Sequence, residues 1–396
     1  MTLTAEAPAQ TLAPRLAAAL DRVSVRADGL AAAVAGRPLT ADSPRDLRGR
    51  LSNALYEDFH AGNGAHRREA DTPPRRSLRD AGLEGRLAAG VPHATTPVRG
   101  RLIEVLRRPD GDQLVVRLPE ITARVPADRL LTPGPCEPGQ LVDLALEASR
   151  PALSPGFFYV MGSRALPSPP GPVRRLFLHA TDTDGAVRLW AAALRALERT
   201  GARYHAKALS DPDDFPRRDG IVIYLHGRHE EAEAAVVEAV AGLGAGESTS
   251  LFTRQLAPGV AAAWDPQDPR PGHGGMSFGQ HRSFALATAL VDHATSDHAT
   301  SDHATSDHAT SDHATSDHAT SDHATSDHAT SDHATSDHAT SDHATTDHAT
   351  TDHATTDGGS LEERVARAFT EAGIDPLHPE NNLTANEGSR DDDRDR

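Results

Sequence analysis

Cysteine is almost absent from this 396-residue chain, and so are long apolar runs. The one cysteine, Cys136, excludes a disulfide framework and a cysteine-rich zinc site, and we interpret it as incidental. No apolar run approaches the roughly 18–20 residues that a membrane-spanning helix needs. The first ten residues, MTLTAEAPAQ, contain neither a basic segment nor an apolar core, so no secretory signal is predicted. We therefore expect a cytoplasmic protein without a membrane partner.

Aromatic residues are scarce as well, at 4% of the chain, and no basic stripe interleaves with them. Nucleic acid is therefore not an expected partner. The formal net charge of −17 adds little, because thirteen aspartates lie in one repeated tract and the rest of the chain carries only −4.

That tract, residues 292–356, consists of thirteen copies of a pentapeptide, DHATS drifting to DHATT. The unit has no large apolar side chain that could build a core, so a disordered low-complexity insertion is predicted. Two other interpretations stay open: weak binding of Zn²⁺, Ni²⁺ or Cu²⁺ by the paired Asp and His, and repeat expansion without a function, which we favour. An apolar stripe of helical period follows at Leu361, Val365 and Phe369, so the tract is predicted to interrupt a domain.

The rest of the chain divides by the period of its apolar residues. Residues 1–95 repeat them every four positions, which predicts an N-terminal helical region. Short alternating segments between turns predict a small barrel-like β-module over 97–165. Strand and helix patterns alternate over 170–290, which with 358–380 predicts an α/β domain with a mixed sheet, followed by a frayed tail at 381–396. The predicted fold class is α+β.

One catalytic motif matches by its letters. Residues 275–279 read G-M-S-F-G, the pattern of a nucleophile elbow with Ser277 as the nucleophile. Such an elbow needs a buried strand directly before it, and an acid and a histidine after it. The preceding residues, WDPQDPRPGHG, do not form a central strand, and the only later histidine outside the repeat is His378. A serine hydrolase therefore stays an alternative.

Basic side chains concentrate in the α/β segment. They lie on or before predicted strands, in a predicted hairpin, and at a helix start, where free backbone N–H groups favour anions. These residues are Lys207, Arg217, Arg218, Arg254, His281 and Arg282. Each one alone is typical of a protein surface, but together they predict a site for a phosphorylated substrate.

Eight sequence segments resemble a known family. They are NALYEDFHAG (53–62), SPGFFYVMG (154–162), VRRLFLHA (173–180), YHAKALSDP (204–212), RRDGIVIYL (217–225), LFTRQLAPG (251–259), SFGQHRS (277–283) and AGIDPLHP (372–379). In this order they look like the actinobacterial branch of the HopA-type effector family, which is named for a type III effector of plant pathogens. The resemblance covers about 50–290 and 360–380, and the DHATS tract departs from the family pattern.

The resemblance implies a role in the biosynthesis of ribosomally made peptides, notably class V lanthipeptides and thioamide-containing peptides. A kinase-like partner phosphorylates Ser or Thr of a precursor peptide there, and the HopA-like protein acts as the phosphate lyase, similar to phosphothreonine lyases, without metal or cofactor. A non-catalytic component that binds the leader peptide or the kinase is the second hypothesis. The hydrolase that uses Ser277 is the third.

Elimination of phosphate needs a base for the α-proton, cations for the phosphate and an acid for the leaving group. Lys207 is the candidate base, and His179 or His281 is the candidate acid. Phosphothreonine lyases use a Lys-x-His pair on one strand, whereas here the order is reversed, with His205 before Lys207. The candidate phosphate ligands, which can bind bidentately, are Arg217, Arg218, Arg254 and Arg282.

Overall fold

The computed structural model describes residues 11–64, 79–118, 121–151, 153–167, 169, 171–268, 270–303 and 359–383, with side chains to residue 296 in the helix that ends at 303. Most of the repeat tract (304–356) and residues 384–396 of the predicted tail lie outside the described residues. The chain divides into two units, residues 1–298 with 360–396, and residues 299–359. In the second unit, only the end of one helix and residue 359 are described.

The helices are α1 (Pro14–Leu20), α2 (Pro44–Leu55), α3 (Ala81–Ala89), α4 (Thr183–Thr200), α5 (Glu230–Val240), α6 (Phe278–His303) and α7 (Leu361–Glu371). The strands are β1 (Val23–Val25), β2 (Ala31–Val34), β3 (Arg37–Thr40), β4 (Thr95–Leu106), β5 (Gln113–Arg117), β6 (Thr122–Pro126), β7 (Leu141–Glu147), β8 (Phe157–Met161), β9 (Val173–Ala180), β10 (Arg203–Leu209), β11 (Arg217–His226), β12 (Arg254–Ala257) and β13 (Val260–Trp264). Helices and antiparallel sheets together confirm the predicted α+β class.

The four-residue period predicted a helical N-terminal region, but the region also contains strands. After α1, the strands β1, β2 and β3 form a three-stranded antiparallel sheet. Ala35 and Gly36 both have positive φ, which is the geometry of a two-residue hairpin turn between β2 and β3. The Ala-Gly pair is the local sequence signal for this hairpin. Strand β2 was not predicted because its residues are mostly alanine, whose small side chains give no clear alternation of apolar and polar positions.

Helix α2 begins at the Ser43 N-cap, whose hydroxyl accepts a hydrogen bond from the Asp46 N–H at 3.1 Å. The helix continues into a π-helical segment, Tyr56–Ala61, which ends at Gly62 in the left-handed conformation. Single π-helical turns within α-helices are frequent at functional sites. This segment lies against the large sheet described below.

The small β-module is an open four-stranded antiparallel sheet with the order β6-β5-β4-β7. It curls, because Leu130 after β6 forms a bridge with Leu144 of β7 on the far edge. Its core of six buried residues is separate from the other two cores. The predicted boundary at 165 extends too far, since β8 pairs with β10 in the large sheet.

The large sheet has the strand order β12-β13-β9-β11-β10-β8, and every neighbouring pair is antiparallel. The mixed sheet predicted from alternating strands and helices is therefore not what forms. Strands β9 and β10 do run parallel across helix α4, but β11 inserts between them and pairs antiparallel with both. This split β-α-β arrangement accounts for the difference.

The two faces of the large sheet build different cores. On the face that we call the α4 face, residues such as Leu176, Leu178 and Ile223 pack with α3, α4 and α5. On the opposite α2 face, Phe177 and Val222 pack with α1, α2, α6 and α7. Alternate residues of each strand thus belong to different layers, as the two-residue period of a strand requires.

The repeat tract was predicted to be disordered. Its first residues are helical instead, because helix α6 extends to His303. The helix is already established by the apolar segment FALATALV, which the alanine-containing repeat can continue. Helix α7, opened by a capping box between Ser360 and Glu363, buries Val365 and Phe369 in the core that also holds Leu286 of α6. No helix of the described residues is both long enough and apolar enough to cross a membrane.

Candidate functional site

A cavity of about 300 Å³ lies on the α2 face of the large sheet, between the sheet, the π-helical segment and the start of α6. Its polar walls come from segments that are far apart in the sequence. The ionisable residues that line it are Tyr56, His60, Arg175, Lys207, Arg217, Asp219 and Tyr224. No other cavity described here gathers side chains from so many of the resemblance segments, so we take it as the candidate site.

Strand register aims these side chains at one place. Lys207 of β10 lies opposite Val222 of β11, and Arg175 of β9 lies opposite Tyr224 of β11, so both cations share the α2 face with these residues. The register of β11 against β9 shifts between Arg217 and Ile221. This bulge reverses the alternation, so that odd-numbered Arg217 joins even-numbered Val222 at the cavity. Bulges of this kind often re-aim side chains beside functional sites.

A buried ion pair forms the floor of the site. Arg217 donates to both carboxylate oxygens of Asp219, from Nε to Oδ1 at 2.8 Å and from Nη2 to Oδ2 at 2.7 Å. The Tyr56 hydroxyl donates to Asp219 Oδ2 at 2.9 Å and accepts from Arg217 Nη2 at 2.9 Å. Burial raises the pKa of Asp219, but the charge and hydrogen bonds of Arg217 outweigh it and hold the pKa well below its usual value. Burial and the Asp219 charge raise the pKa of Tyr56.

His60 stands beside this pair as a neutral imidazole. Its Nδ1 lies 2.9 Å from Ser250 Oγ, and its Nε2 lies 3.8 Å from Asp219 Oδ2. Burial lowers the pKa of His60 to about 4, against an opposing effect of the Asp219 carboxylate. The start of α6 approaches the ring closely because residue 279 is glycine. A Cβ there would lie 2.7 Å from the Tyr56 ring and still closer to the ring of His60.

Two further cations face the cavity. The half-buried Lys207 places Nζ 4.1 Å from the centroid of the Phe157 ring, and no acidic side chain of the described residues pairs with it. Arg175 is buried, pairs with Asp265 and lies 4.7 Å over the Tyr224 ring. Its Nε is buried without a hydrogen-bond partner in the part of the chain that the structure describes. A donor of this kind is costly to leave unpaired, which suggests a ligand.

Lys207 is also the only lysine among the 396 residues, since the other positively charged side chains are all arginines. Arginine stays protonated in proteins, whereas lysine can lose its proton and act as a base. The only lysine of the chain therefore lies in the cavity, beside the imidazole of His60, which can also act as a base. Arg217 and Arg175 each pair with an aspartate. Lys207 is thus the one cation of the cavity without an acidic partner among the described residues, and three basic groups around one space favour an anionic ligand.

Of the residues predicted for phosphate elimination, the structure brings only Lys207 and Arg217 into the cavity, and Ser277 of the hydrolase alternative lines it too. Arg254 lies on the α4 face, because it pairs in register with Ala262, and it binds Glu233 of α5 at 3.0 Å. The sheet therefore separates Arg254 from Lys207. The sequence indicated a hairpin at Arg254, but not the face towards which its side chain points.

Arg282 and His281 are buried next to the C-terminal segment. Arg282 Nη2 donates to Asn382 Oδ1 at 2.7 Å and Nε donates to the Pro379 carbonyl at 3.2 Å, while burial lowers the pKa of Arg282 to about 9. His281 Nε2 lies 2.8 Å from Asp268 Oδ2, and burial with the Arg282 charge lowers its pKa to about 4. Neither side chain lines the cavity, and both hold the chain together around α6.

Arg218 and His179 meet at Ser248, outside the cavity. Arg218 Nε donates to Ser248 Oγ at 3.1 Å, and its Nη1 donates to the Asp58 carbonyl at 3.0 Å. His179 Nδ1 lies 3.0 Å from the Ser248 carbonyl oxygen, and burial lowers the pKa of this histidine. These contacts hold the π-helical segment and the loop before β12 together. Both residues therefore stabilise elements around the site without lining the cavity.

Ser277 has a structural role in helix α6. Its hydroxyl accepts from the Gln280 N–H at 3.4 Å, and its own N–H donates to Gln280 Oε1 at 3.0 Å. This reciprocal pair is a capping box. A loop, not a strand, precedes Ser277, so the elbow that the hydrolase hypothesis needs is not formed. Gly279 of the same motif serves the close contact with His60 described above.

The sequence analysis did not identify four of the residues that line the cavity, although three resemblance segments contain them. These residues are Tyr56, His60, Asp219 and Arg175. Tyr56 and His60 are four residues apart within NALYEDFHAG, which places them on one face of a helix and was a usable signal. Asp219 follows Arg217 by two residues, the spacing of a shared strand face. The described residues contain no group of three or more His, Cys, Asp or Glu that could hold a metal ion.

The sequence model of the HopA1 effector protein family matches residues 148–380, which is more than half of the chain. The chain therefore belongs to the HopA1 effector protein family. A solved effector protein from Pseudomonas syringae pv. tomato strain DC3000 is 14% identical with a TM-score of 0.33, over 57% of this chain and 62% of that one. An effector protein from Pseudomonas syringae pv. syringae strain 61 is 12% identical with a TM-score of 0.37, over 85% and 99%. No curated protein matches the chain.

Proposed function

We propose that the protein is a lyase that eliminates phosphate from phosphoserine or phosphothreonine in a precursor peptide and leaves a dehydroamino acid. The observation that carries this proposal is the position of the only lysine, which shares one cavity with the guanidinium groups of Arg175 and Arg217. Membership of the HopA1 family and the resemblance to its actinobacterial branch support it. A kinase-like protein would supply the phosphorylated peptide, so it is the expected partner.

In this reaction, Lys207, once it has given up its proton, accepts the α-proton of the phosphorylated residue. The electrons of that C–H bond form the Cα–Cβ double bond, and the Cβ–O bond breaks as phosphate leaves. Arg217 and Arg175 hold the phosphate and stabilise the charge that develops on its leaving oxygen. Tyr56, whose hydroxyl lies 2.9 Å from Arg217 Nη2, takes the role of acid in place of His179 and His281. The elimination transfers no electrons to a second reactant.

The test is incubation of the purified protein with a synthetic phosphothreonine peptide, followed by mass spectrometry. Elimination removes about 98 Da, the mass of phosphoric acid. Lys207→Arg removes the base but leaves a long basic side chain at the same position, so we expect phosphopeptide binding to persist while turnover falls by about 10²-fold or more. Arg254→Gln, on the opposite face of the sheet, should change neither quantity.

The outcomes separate the hypotheses. Equal turnover in wild type and Lys207→Arg would remove Lys207 from the mechanism. Phosphopeptide binding with no mass loss in the wild type would favour the non-catalytic component instead. Loss of turnover in Arg254→Gln would contradict the assignment of the site to the α2 face.

A further inference from the structure

A second cavity, of about 410 Å³, adjoins the candidate site, and Gln280 lines both. One wall is helix α2, with Gly49 and Asn53, and the other is the loop before α6, with Gly274. The two cavities therefore lie on either side of one side chain at the start of α6. We call the second one the α2 channel.

One face of α2 and of the π-helical segment connects the two cavities. Gly49 and Asn53 line the channel, and Tyr56 and His60 line the candidate site. These residues are spaced by three or four positions, which places them along a single helix face. A ligand that enters the candidate site from the channel would lie along this face.

The chemistry of the two cavities differs. The candidate site has three cations, whereas the residues that line the channel are all uncharged: glycine, serine, asparagine, glutamine, methionine and phenylalanine. The amides of Asn53 and Gln280 can each donate and accept, as a peptide backbone does. A Cβ built at Gly49 or at Gly274 meets no atom within 4 Å, so the glycines leave open space in the walls.

We propose that the α2 channel binds the residues that flank the phosphorylated residue, as an extended peptide segment with uncharged side chains. This inference rests on the proposed function and adds a specificity to it. The cationic cavity selects the phosphate, and the neutral channel selects the sequence around it. A segment with acidic or basic side chains would have to desolvate them against partners that carry no charge.

The test fills the channel from each wall in turn. Gly49→Leu adds a side chain on α2, and Gly274→Leu adds one on the loop. Neither glycine has a positive φ, so both substitutions fit the backbone. Leucine is a better helix former than glycine, so Gly49→Leu should leave the thermal midpoint unchanged or higher. Gly85→Leu is the matched control, because Gly85 lies in α3 and its Cβ would also meet nothing within 4 Å.

Binding is measured by calorimetry with two probes, the single amino acid N-acetyl-phosphothreonine amide and a nonapeptide with alanine and glycine on both sides of phosphothreonine. We expect both channel variants to bind the nonapeptide at least about tenfold more weakly and the single amino acid as the wild type does. The control should match the wild type with both probes.

Unchanged nonapeptide affinity in both channel variants would overturn the channel while the proposed function stands. Equal weakening of both probes would also overturn it, because the substitutions would then act on the phosphate cavity. Failure of the wild type to bind either probe would instead overturn the proposed function, and the channel with it.

Discussion

Acid should destabilise this protein through His60, which is buried as a neutral ring between Ser250 and Asp219. In the unfolded chain, the ring takes up a proton near its ordinary pKa of 6.5, whereas burial lowers the pKa in the folded protein to about 4. Above pH 6.5 both states are neutral, and His60 adds no pH dependence. As the pH falls from 6.5 to about 4, only the unfolded state gains a proton, so the free energy of unfolding decreases.

The magnitude follows from the difference between the two pKa values. Each pH unit between 6.5 and about 4 costs about 1.36 kcal/mol, which gives a total of about 3 kcal/mol. The pKa of His281 is lowered to about 4 and that of His205 to about 3, in both cases mainly by burial, so these residues act in the same direction. The whole protein should lose more stability than His60 alone accounts for.

The assay is denaturant unfolding of the wild type and of His60→Gln at about pH 7 and about pH 4. Glutamine retains hydrogen-bonding groups for Ser250 but does not titrate, so the variant should lose about 3 kcal/mol less than the wild type between the two pH values. His378→Gln, at an exposed histidine, is the matched control and should lose as much as the wild type. An equal loss in His60→Gln and the wild type would refute the assignment of a buried neutral imidazole.

Two further predictions concern the stability of the site. Asp219→Asn leaves the buried Arg217 without its counter-charge, so unfolding by denaturant should show a loss of about 3–5 kcal/mol, whereas the exposed control Asp184→Asn should lose much less. Similar losses in both variants would show that the buried pair is not a structural element. Gly279→Ala forces a Cβ against His60 and should cost about 1–3 kcal/mol and weaken phosphopeptide binding; wild-type stability and binding would contradict the close contact.

Much of the secondary structure could be predicted because its signals are local. The β-hairpin of residues 251–264 followed from the Pro-Gly turn between two apolar segments, and it forms as β12 and β13. The helix after the repeat followed from the period of its apolar residues. The strand that carries Lys207 was predicted for the same kind of reason, and it forms as β10. These patterns depend on neighbouring residues alone, so no tertiary contact was needed to find them.

Only the tertiary structure shows which residues form the candidate site. Whether an arginine faces the cavity depends on the register of its strand, and a single bulge in β11 decides this for Arg217. Arg254 lies on the other face because of the register of its own strand. The guanidinium group of Arg282 is engaged in hydrogen bonds with a segment about a hundred residues later in the chain. By itself, the sequence determined that one lysine and many arginines were available. Only the folded sheet decided which of them meet, because long-range strand pairing sets the direction of each side chain.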